Sequence, residues 1–163
     1  MNKFEKISIN QFNKDFGCPG GRHYYDIRLP KRATEFSAGY DFYLPYHYDV
    51  IIPPGQTKKI PTGIRVKLDN DKVLLIAPRS GLGFKYRLQL DNTIGVIDAD
   101  YYNSENEGHI WIKITNDSKE DKTVTIKSGE AFAQGIIMQY FKTDDDDADG
   151  VRNGGFGSTD GKS

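Results

Sequence analysis

The sequence has little that indicates a disulfide scaffold, a membrane protein or a nucleic-acid binder. Cys18 is its only cysteine, so no disulfide can form within these 163 residues, and a lone thiol is typical of a reducing compartment. Lysine and arginine number 22 and aspartate and glutamate 23, and the net charge of -1 gives no general attraction for nucleic acid or anionic lipid. There is no apolar run of about 18 residues that would span a membrane. We therefore expect a cytoplasmic protein that binds neither nucleic acid nor membrane.

Two further absences narrow the possibilities. The first residues are charged and lack the apolar core of a signal peptide. Cys18, His23, His47 and His109 are scattered, without the spacing typical of a metal site. A mean hydropathy of -0.63 and a mass of 18.4 kDa suit one modestly apolar domain.

Short apolar segments separated by turn residues indicate an all-β fold, a sandwich or a barrel. Residues 110–114 show the clearest alternation, with isoleucine at every second position. Asp69-Asn70-Asp71 predicts a hairpin turn, and only residues 80–86 could form a short helix. The predicted strands cover residues 25–29, 37–44, 50–52, 57–60, 64–68, 73–77, 110–114, 124–126 and 133–141.

Residues 92–103 carry the densest group of chemically useful side chains. Ile94, Val96 and Ile97 predict a buried strand, in which a glycine at position 95 indicates a bulge or a close approach by another group. Asp98 follows where the strand leaves the core, and such a carboxylate can deprotonate a water. Tyr101 offers a flat face for a sugar or base. Taken alone, the stretch is more typical of a solvated turn with an Asx cap than of a catalytic site.

The last twenty residues differ in composition from the rest. We predict a β-barrel domain over residues 1–143, in which residues 1–23 are an N-terminal extension of strand or loop without chemistry. Residues 144–150 form an acidic linker, for which a magnesium-binding run is the alternative. Residues 151–163 form a flexible arm, too rich in glycine to fold alone, that orders on a ligand.

Five segments, in this order and spacing, resemble the five motifs of the trimeric dUTPase family. They are residues 37–41 (SAGYD), 77–83 (APRSGLG), 92–103 (NTIGVIDADYYN), 129–134 (GEAFAQ) and 154–159 (GGFGST). The resemblance extends from Leu29 to Thr159. It implies a distorted, jelly-roll-like antiparallel β-barrel with one short helix and a mobile C-terminal arm. It also implies a homotrimer whose active sites form between subunits.

The resemblance further implies hydrolysis of dUTP to dUMP and pyrophosphate. Asp98 matches the water-activating carboxylate, and Asp41 and Asp100 match supporting acids. Mg²⁺ would bridge the phosphates through substrate oxygens and water, without direct protein ligands. Substrate-binding roles are implied for Arg79, Ser80, Gly81, Asn92, Gly95, Ile97, Tyr101, Gln134, Arg152, Phe156, Gly157, Ser158 and Thr159.

The sequence departs from the family pattern in three places. Arg152 lies four residues before Phe156, where the family usually has five. Asp160 replaces a glycine, which places an acid near the triphosphate end. Residues 102–107 (YNSENE) resemble a small insertion at the rim of the pocket.

Three rival functions remain open. An enzyme of the same fold deaminates dCTP, but the Asp98 segment resembles the dUTP-hydrolysing branch. A protein of this family could also use nucleotide binding to switch a regulatory protein partner, particularly if a phage encodes it. A purely structural jelly-roll subunit would not need Arg79, Asp98, Tyr101 and Phe156 together.

Overall fold

The protein was analysed as a computed structural model that describes residues 1–45, 47–152 and 154. Its described part contains twelve strands and two α-helices, so the fold is mostly β as predicted. The strands are β1 (Lys3–Lys6), β2 (Lys31–Arg32), β3 (Tyr40–Tyr43), β4 (Val50–Ile52), β5 (Thr57–Pro61), β6 (Ile64–Lys67), β7 (Lys72–Pro78), β8 (Leu88–Leu90), β9 (Gly95–Asp98), β10 (Trp111–Asn116), β11 (Val124–Ile126) and β12 (Ala131–Gln139), and the helices are α1 (Ile9–Phe16) and α2 (Ser80–Tyr86).

The strands pair in four antiparallel sheets. The largest has the order β2-β3-β12-β7-β9, a second has the order β5-β10-β8, and β1-β6 and β11-β4 form two-stranded ribbons. Most paired strands are distant in sequence, which is the arrangement expected of a jelly roll. The sheets curve around a shared core without closing into a continuous barrel.

The core is built from the inward members of these strands. Ile112 and Ile114 of β10 are buried, whereas Lys113 between them is exposed, so the predicted alternation is confirmed. Gly135 of β12 lies where three core side chains converge. A Cβ there would come within 2.8 Å of Leu74 and 2.9 Å of Phe42. The close packing of β12 against β3 and β7 therefore depends on a missing side chain.

Helix α1 was not predicted, and the expected single helix is in fact one of two. Ser8 caps its start, because its hydroxyl accepts a hydrogen bond from the Gln11 backbone N–H at 3.1 Å. Gly17 ends it in the left-handed conformation, with φ at 61°. The rings of Phe12 and Phe16 stack at 4.2 Å along its buried face. Two turns are too short for a sustained helical period, which explains why the pattern was missed.

One strand prediction and one hairpin prediction are also corrected. Residues 24–26 form a 3-10 turn, because only Ile27 of the apparent alternation is buried and Tyr25 is 80% exposed. The turn at Asp69-Asn70-Asp71 does not close a hairpin. Strand β6 pairs with β1, and β7 pairs with β12 and β9, so the turn carries the chain between two sheets. The predicted helix at Ser80–Tyr86 is confirmed as α2.

Residues 144–150 are exposed and lie outside the strands and helices, with Lys142 paired to Asp146 at 3.2 Å. Neither helix in the described residues combines the length and the hydropathy that a membrane crossing requires.

Candidate active site

A cavity of about 510 Å³ opens beside β9 and β10. Its size is within the range of small-molecule pockets. Five of the predicted substrate-binding residues line it together, namely Asn92, Gly95, Ile97, Tyr101 and Arg152. The remaining lining residues are Lys59, Ile76, Leu90, Asp91, Val96, Trp111, Ile112 and Lys113.

Strand β9 forms one wall of the cavity and lies at the edge of the five-stranded sheet. Its pairing with β7 is regular, so Gly95 does not mark a bulge. Gly95 instead permits a close approach, because a Cβ there would lie 3.0 Å from the Ile76 Cβ. The prediction of a buried strand is wrong for Ile94 and Val96, which are 41% and 55% exposed. An edge strand has one backbone row without a strand partner, and that row is available to a ligand.

Asp98 ends β9 at the point where a 3-10 turn over Ala99–Asn103 begins. Its carboxylate is 46% exposed and accepts a hydrogen bond from Arg152 Nη2. Arg152 Nε donates to Asp100 Oδ1 at 2.9 Å. One guanidinium, itself only 19% exposed, therefore holds both carboxylates.

Tyr101 is 5% exposed, and its hydroxyl is held from two sides. It donates to the His109 carbonyl oxygen at 2.8 Å and accepts from Asn106 Nδ2 at 2.8 Å. Burial raises the pKa of the Tyr101 hydroxyl, so it remains a donor at neutral pH. These contacts fix the ring as a rigid part of the cavity wall.

A second cavity, of about 470 Å³, is lined by residues of the motif predicted to bind phosphate. Arg79, Ser80 and Gly81 line it at the start of α2. Arg79 Nε lies 3.1 Å from Asp41 Oδ1. Gln134 is paired in register with Asp41 across β3 and β12, and its Nε2 donates to the Pro78 carbonyl oxygen at 3.0 Å.

The two groups of predicted site residues lie far apart in one chain. Asp98 pairs with Val73 at one end of β7, whereas Arg79 follows Pro78 at the other end. Six residues of extended chain span roughly 20 Å. The structure thus brings Asp98, Asp100, Tyr101 and Arg152 together, and separately Asp41, Arg79 and Gln134.

The insertion contacts the N-terminal extension and the cavity tyrosine. The Glu107 carboxylate accepts from the Ser8 backbone N–H at 2.7 Å and from the Ser8 hydroxyl at 2.6 Å. Tyr102 donates to Glu5 Oε2 at 2.6 Å. Asn106 reaches a cavity residue with its side chain, since its Nδ2 donates to the Tyr101 hydroxyl. Sequence reasoning missed this role, because an asparagine in a polar loop carries no distinguishing signal.

Trp111 and Lys59 were also not predicted to belong to the site. The Lys59 ammonium lies 4.5 Å from the centroid of the Trp111 ring, and both line the cavity. The alternation of β10 places Trp111 on the face of the strand opposite the buried isoleucines. This pattern could have indicated from the sequence that Trp111 is available to a site. The predicted roles of Phe156, Gly157, Ser158 and Thr159 fall outside the described residues.

Asp98 and Asp100 both bind the guanidinium of Arg152, which lines the cavity, so the oxygen donors held beside the cavity are hard carboxylates. Such donors and phosphate oxygens are those that Mg²⁺ prefers, so the residues fit this ion.

Comparison with known proteins gives one consistent family. Residues 25–160 match the dUTPase family. A deoxyuridine 5'-triphosphate nucleotidohydrolase of Lactococcus lactis is 42% identical over 136 residues, which cover 82% of this chain and 88% of that protein. The crystal structure of the dUTPase of Streptococcus mutans aligns with a TM-score of 0.64 at 33% identity, over 86% of this chain and 98% of that one. A mutant dUTPase of phage phi11 of S. aureus, described with a structural Mg(II) ion, shares the fold at 21% identity and a TM-score of 0.64, over 92% of this chain and 97% of that one.

Proposed function

Because this chain belongs to the dUTPase family, we propose that it hydrolyses dUTP to dUMP and pyrophosphate. The observation that carries the proposal is the position of Asp98, at the end of an edge strand and beside a cavity of nucleoside size. The reaction would keep uracil out of DNA and supply dUMP for dTMP synthesis.

We assign the base and the sugar to the cavity beside β9. The backbone N–H and C=O groups of this edge strand, from Gly95 to Ile97, would pair with the uracil edge, and Asn92 would add a side-chain contact. Tyr101 would pack against the deoxyribose. Because its hydroxyl is held from two sides, the ring cannot move to admit a 2′-hydroxyl.

The phosphate-binding residues would come from another copy of the chain. Arg79 lies roughly 20 Å along β7 from the residue opposite Asp98, which is too far for a single triphosphate to bridge. This separation supports a homotrimer in which Arg79, Ser80, Gly81 and Gln134 of one chain complete the cavity of another. Asp41 would keep Arg79 oriented.

Asp98 would act as the general base. It takes a proton from a water whose oxygen attacks the α-phosphorus, while the bond from that phosphorus to the α,β-bridging oxygen breaks and pyrophosphate leaves. When bound, Mg²⁺ would neutralise phosphate charge, held by substrate oxygens and water near Asp98 and Asp100.

Asp98 must exchange its partner before it can accept that proton. Arg152 Nη2 now donates to Asp98 Oδ2, so this oxygen already has a hydrogen-bond partner. We assign Arg152 to the γ-phosphate once substrate is bound. Phe156, Gly157, Ser158 and Thr159 would then close over uracil and triphosphate.

Asp98→Asn tests the mechanism. Asparagine keeps the shape but cannot take the proton, so pyrophosphate release should fall by at least about 10²-fold while dUTP still binds. In ¹⁸O-labelled water, attack at the α-phosphorus places the label in dUMP. Label in pyrophosphate, or full activity in Asp98→Asn, would contradict this mechanism.

A further inference from the structure

Three possible metal ligands meet away from the candidate active site. His23 Nδ1 lies 3.3 Å from Asp26 Oδ2, and His47 Nε2 lies 3.4 Å from the same oxygen. All three ligand atoms lie within 4.8 Å of one another. None of the three residues lines either of the two larger cavities. Sequence spacing did not predict this group, because His47 follows a strand and reaches the others only through the fold.

The distances fit a tetrahedral metal site. Zinc binds imidazole nitrogen at about 2.0–2.1 Å and carboxylate oxygen at about 2.0–2.2 Å, so neighbouring ligands of a tetrahedral ion lie roughly 3.3–3.5 Å apart. The two contacts of Asp26 already have this length. The histidine ring centroids lie 3.5 Å apart and the ligand nitrogens lie within 4.8 Å of each other, so binding of one ion would draw the two nitrogens together.

The backbone holds the ligands from both sides. His23 has φ at 72°, an uncommon conformation for a side chain other than glycine, and it begins the 3-10 turn that carries Asp26. Lys6 fixes this turn by donating to the Tyr25 carbonyl oxygen at 3.0 Å. On the other side, Asp49 accepts from Lys127 at 2.7 Å, two residues beyond His47.

The charge of the group is also suited to a cation. In the described part of the chain, the ion pairs of Asp26 are with His23 and His47. The neighbouring Arg28 lines the same small cavity as Asp26 and His47, but its guanidinium already has other partners. It lies 3.8 Å from the Tyr43 ring centroid and donates to the Gly129 carbonyl oxygen.

We propose that His23, Asp26 and His47 bind a divalent transition-metal ion, with Zn²⁺ as the best match to two imidazoles and one carboxylate. Water would complete the coordination, since three protein ligands leave one position open. The ion would fasten the loop between β3 and β4 to the turn after α1. Mg²⁺ would not compete, because it prefers oxygen ligands.

Calorimetric titration of the untagged full chain with ZnCl₂, in excess Mg²⁺, tests the site. The chain should bind one Zn²⁺, and Asp26→Asn, His47→Ala and His23→Asn should each weaken binding at least about tenfold. Asparagine tolerates the left-handed backbone at position 23, so that variant isolates the loss of the imidazole. Asp121→Asn, an exposed acid elsewhere, is the matched control and should bind as the original chain does.

Thermal unfolding gives a second readout. Zn²⁺ should raise the melting temperature of the original chain and of Asp121→Asn, but not that of His47→Ala. The proposal is overturned if the original chain does not bind Zn²⁺, or if any of the three ligand variants binds it with unchanged affinity. The latter result would place the ion on other groups, such as the acidic residues 144–149.

Discussion

The hydrogen bonds of one side chain, Arg152, decide whether the proposed base Asp98 is available to a water. Arg152 links Asp98 and Asp100 through one guanidinium, so the proposed base already has a hydrogen-bond partner. Substrate phosphates offer that guanidinium a stronger anion. Exchange of Arg152 from carboxylate to phosphate would therefore couple binding of the triphosphate to release of the base.

Arg152→Gln should reveal this exchange. Loss of a charged hydrogen bond to phosphate costs about 1.5–3 kcal/mol, which corresponds to a fall of roughly 10- to 100-fold in kcat/KM for dUTP. Steady-state kinetics of the purified variant measure it. Arg152 lies four positions before Phe156 rather than the usual five. An unchanged kcat/KM would mean that the shortened arm does not use this arginine.

Asn106 should affect sugar selectivity, although it does not line the cavity. Asn106→Ala removes one of the two hydrogen bonds that hold the Tyr101 hydroxyl. A bond worth about 1 kcal/mol would lower the ratio of kcat/KM for dUTP over UTP roughly fivefold. Glu105→Gln, an exposed neighbour in the same insertion, is the control and should leave the ratio unchanged. Equal ratios in both variants would mean that the insertion does not support Tyr101.

At the scale of elements, β12 connects the two halves of the site. It pairs with β3, which carries Asp41, and with β7, which pairs in turn with β9. Gly135 lets these strands pack closely. Gly135→Ala should destabilise the fold by about 1–3 kcal/mol, because the added methyl group would meet Leu74 and Phe42 within 3 Å. Urea unfolding measures the loss.

Gly150→Ala is the matched control, since a Cβ there meets nothing within 4 Å. Equal stability of the two variants would show that the core around Gly135 adapts without cost.

The elements also show what sequence can and cannot predict. The alternation in β10 could be predicted from the sequence, because burial on one face of a strand imposes a period of two. The pairing of β6 with β1 could not be predicted, because a turn sequence does not specify which strands pair on either side of it. Likewise, the resemblance implies site roles for Arg79 and Asp98, but their separation along β7 follows only from the register. The meeting of His23 with His47 depends on the fold in the same way.

Across the whole molecule, His109 joins the N-terminal extension to the barrel. It is fully buried, its Nε2 accepts from the Gly63 backbone N–H at 2.9 Å, and its Nδ1 lies 2.5 Å from Asp15 of α1. A ring nitrogen that accepts a hydrogen bond carries no proton, so the imidazole is neutral. Burial lowers the pKa of His109, although Asp15 and Glu107 act in the opposite direction.

The stability of the fold should therefore fall in mild acid. The unfolded chain binds a proton at His109 near pH 6.5, whereas the folded chain binds it only at lower pH. This contribution is fully present above about pH 6.5 and is lost as the pH falls toward the folded value, by up to about 1.4 kcal/mol per pH unit. Urea midpoints across this range measure the loss. An NMR titration in which His109 protonates at or above its ordinary pKa would contradict the assignment.

The proposal that two chains share each active site can be tested by mixing inactive chains. In the proposed homotrimer, Asp98→Asn and Arg79→Ala should each be inactive when all three chains carry the same substitution. If each site takes Asp98 and Arg79 from different chains, co-refolding equal amounts should restore about a quarter of the sites. No recovery in mixed trimers would mean that both residues of a site belong to one chain.

Pyrophosphate release from dUTP, dTTP, dCTP and UTP in the presence of Mg²⁺ tests the central claim most directly. The structure predicts release from dUTP alone, because the β9 backbone would read uracil and the fixed Tyr101 would exclude a ribose. Comparable release from UTP would contradict the role of Tyr101. Release from none of the four nucleotides would contradict the proposed function.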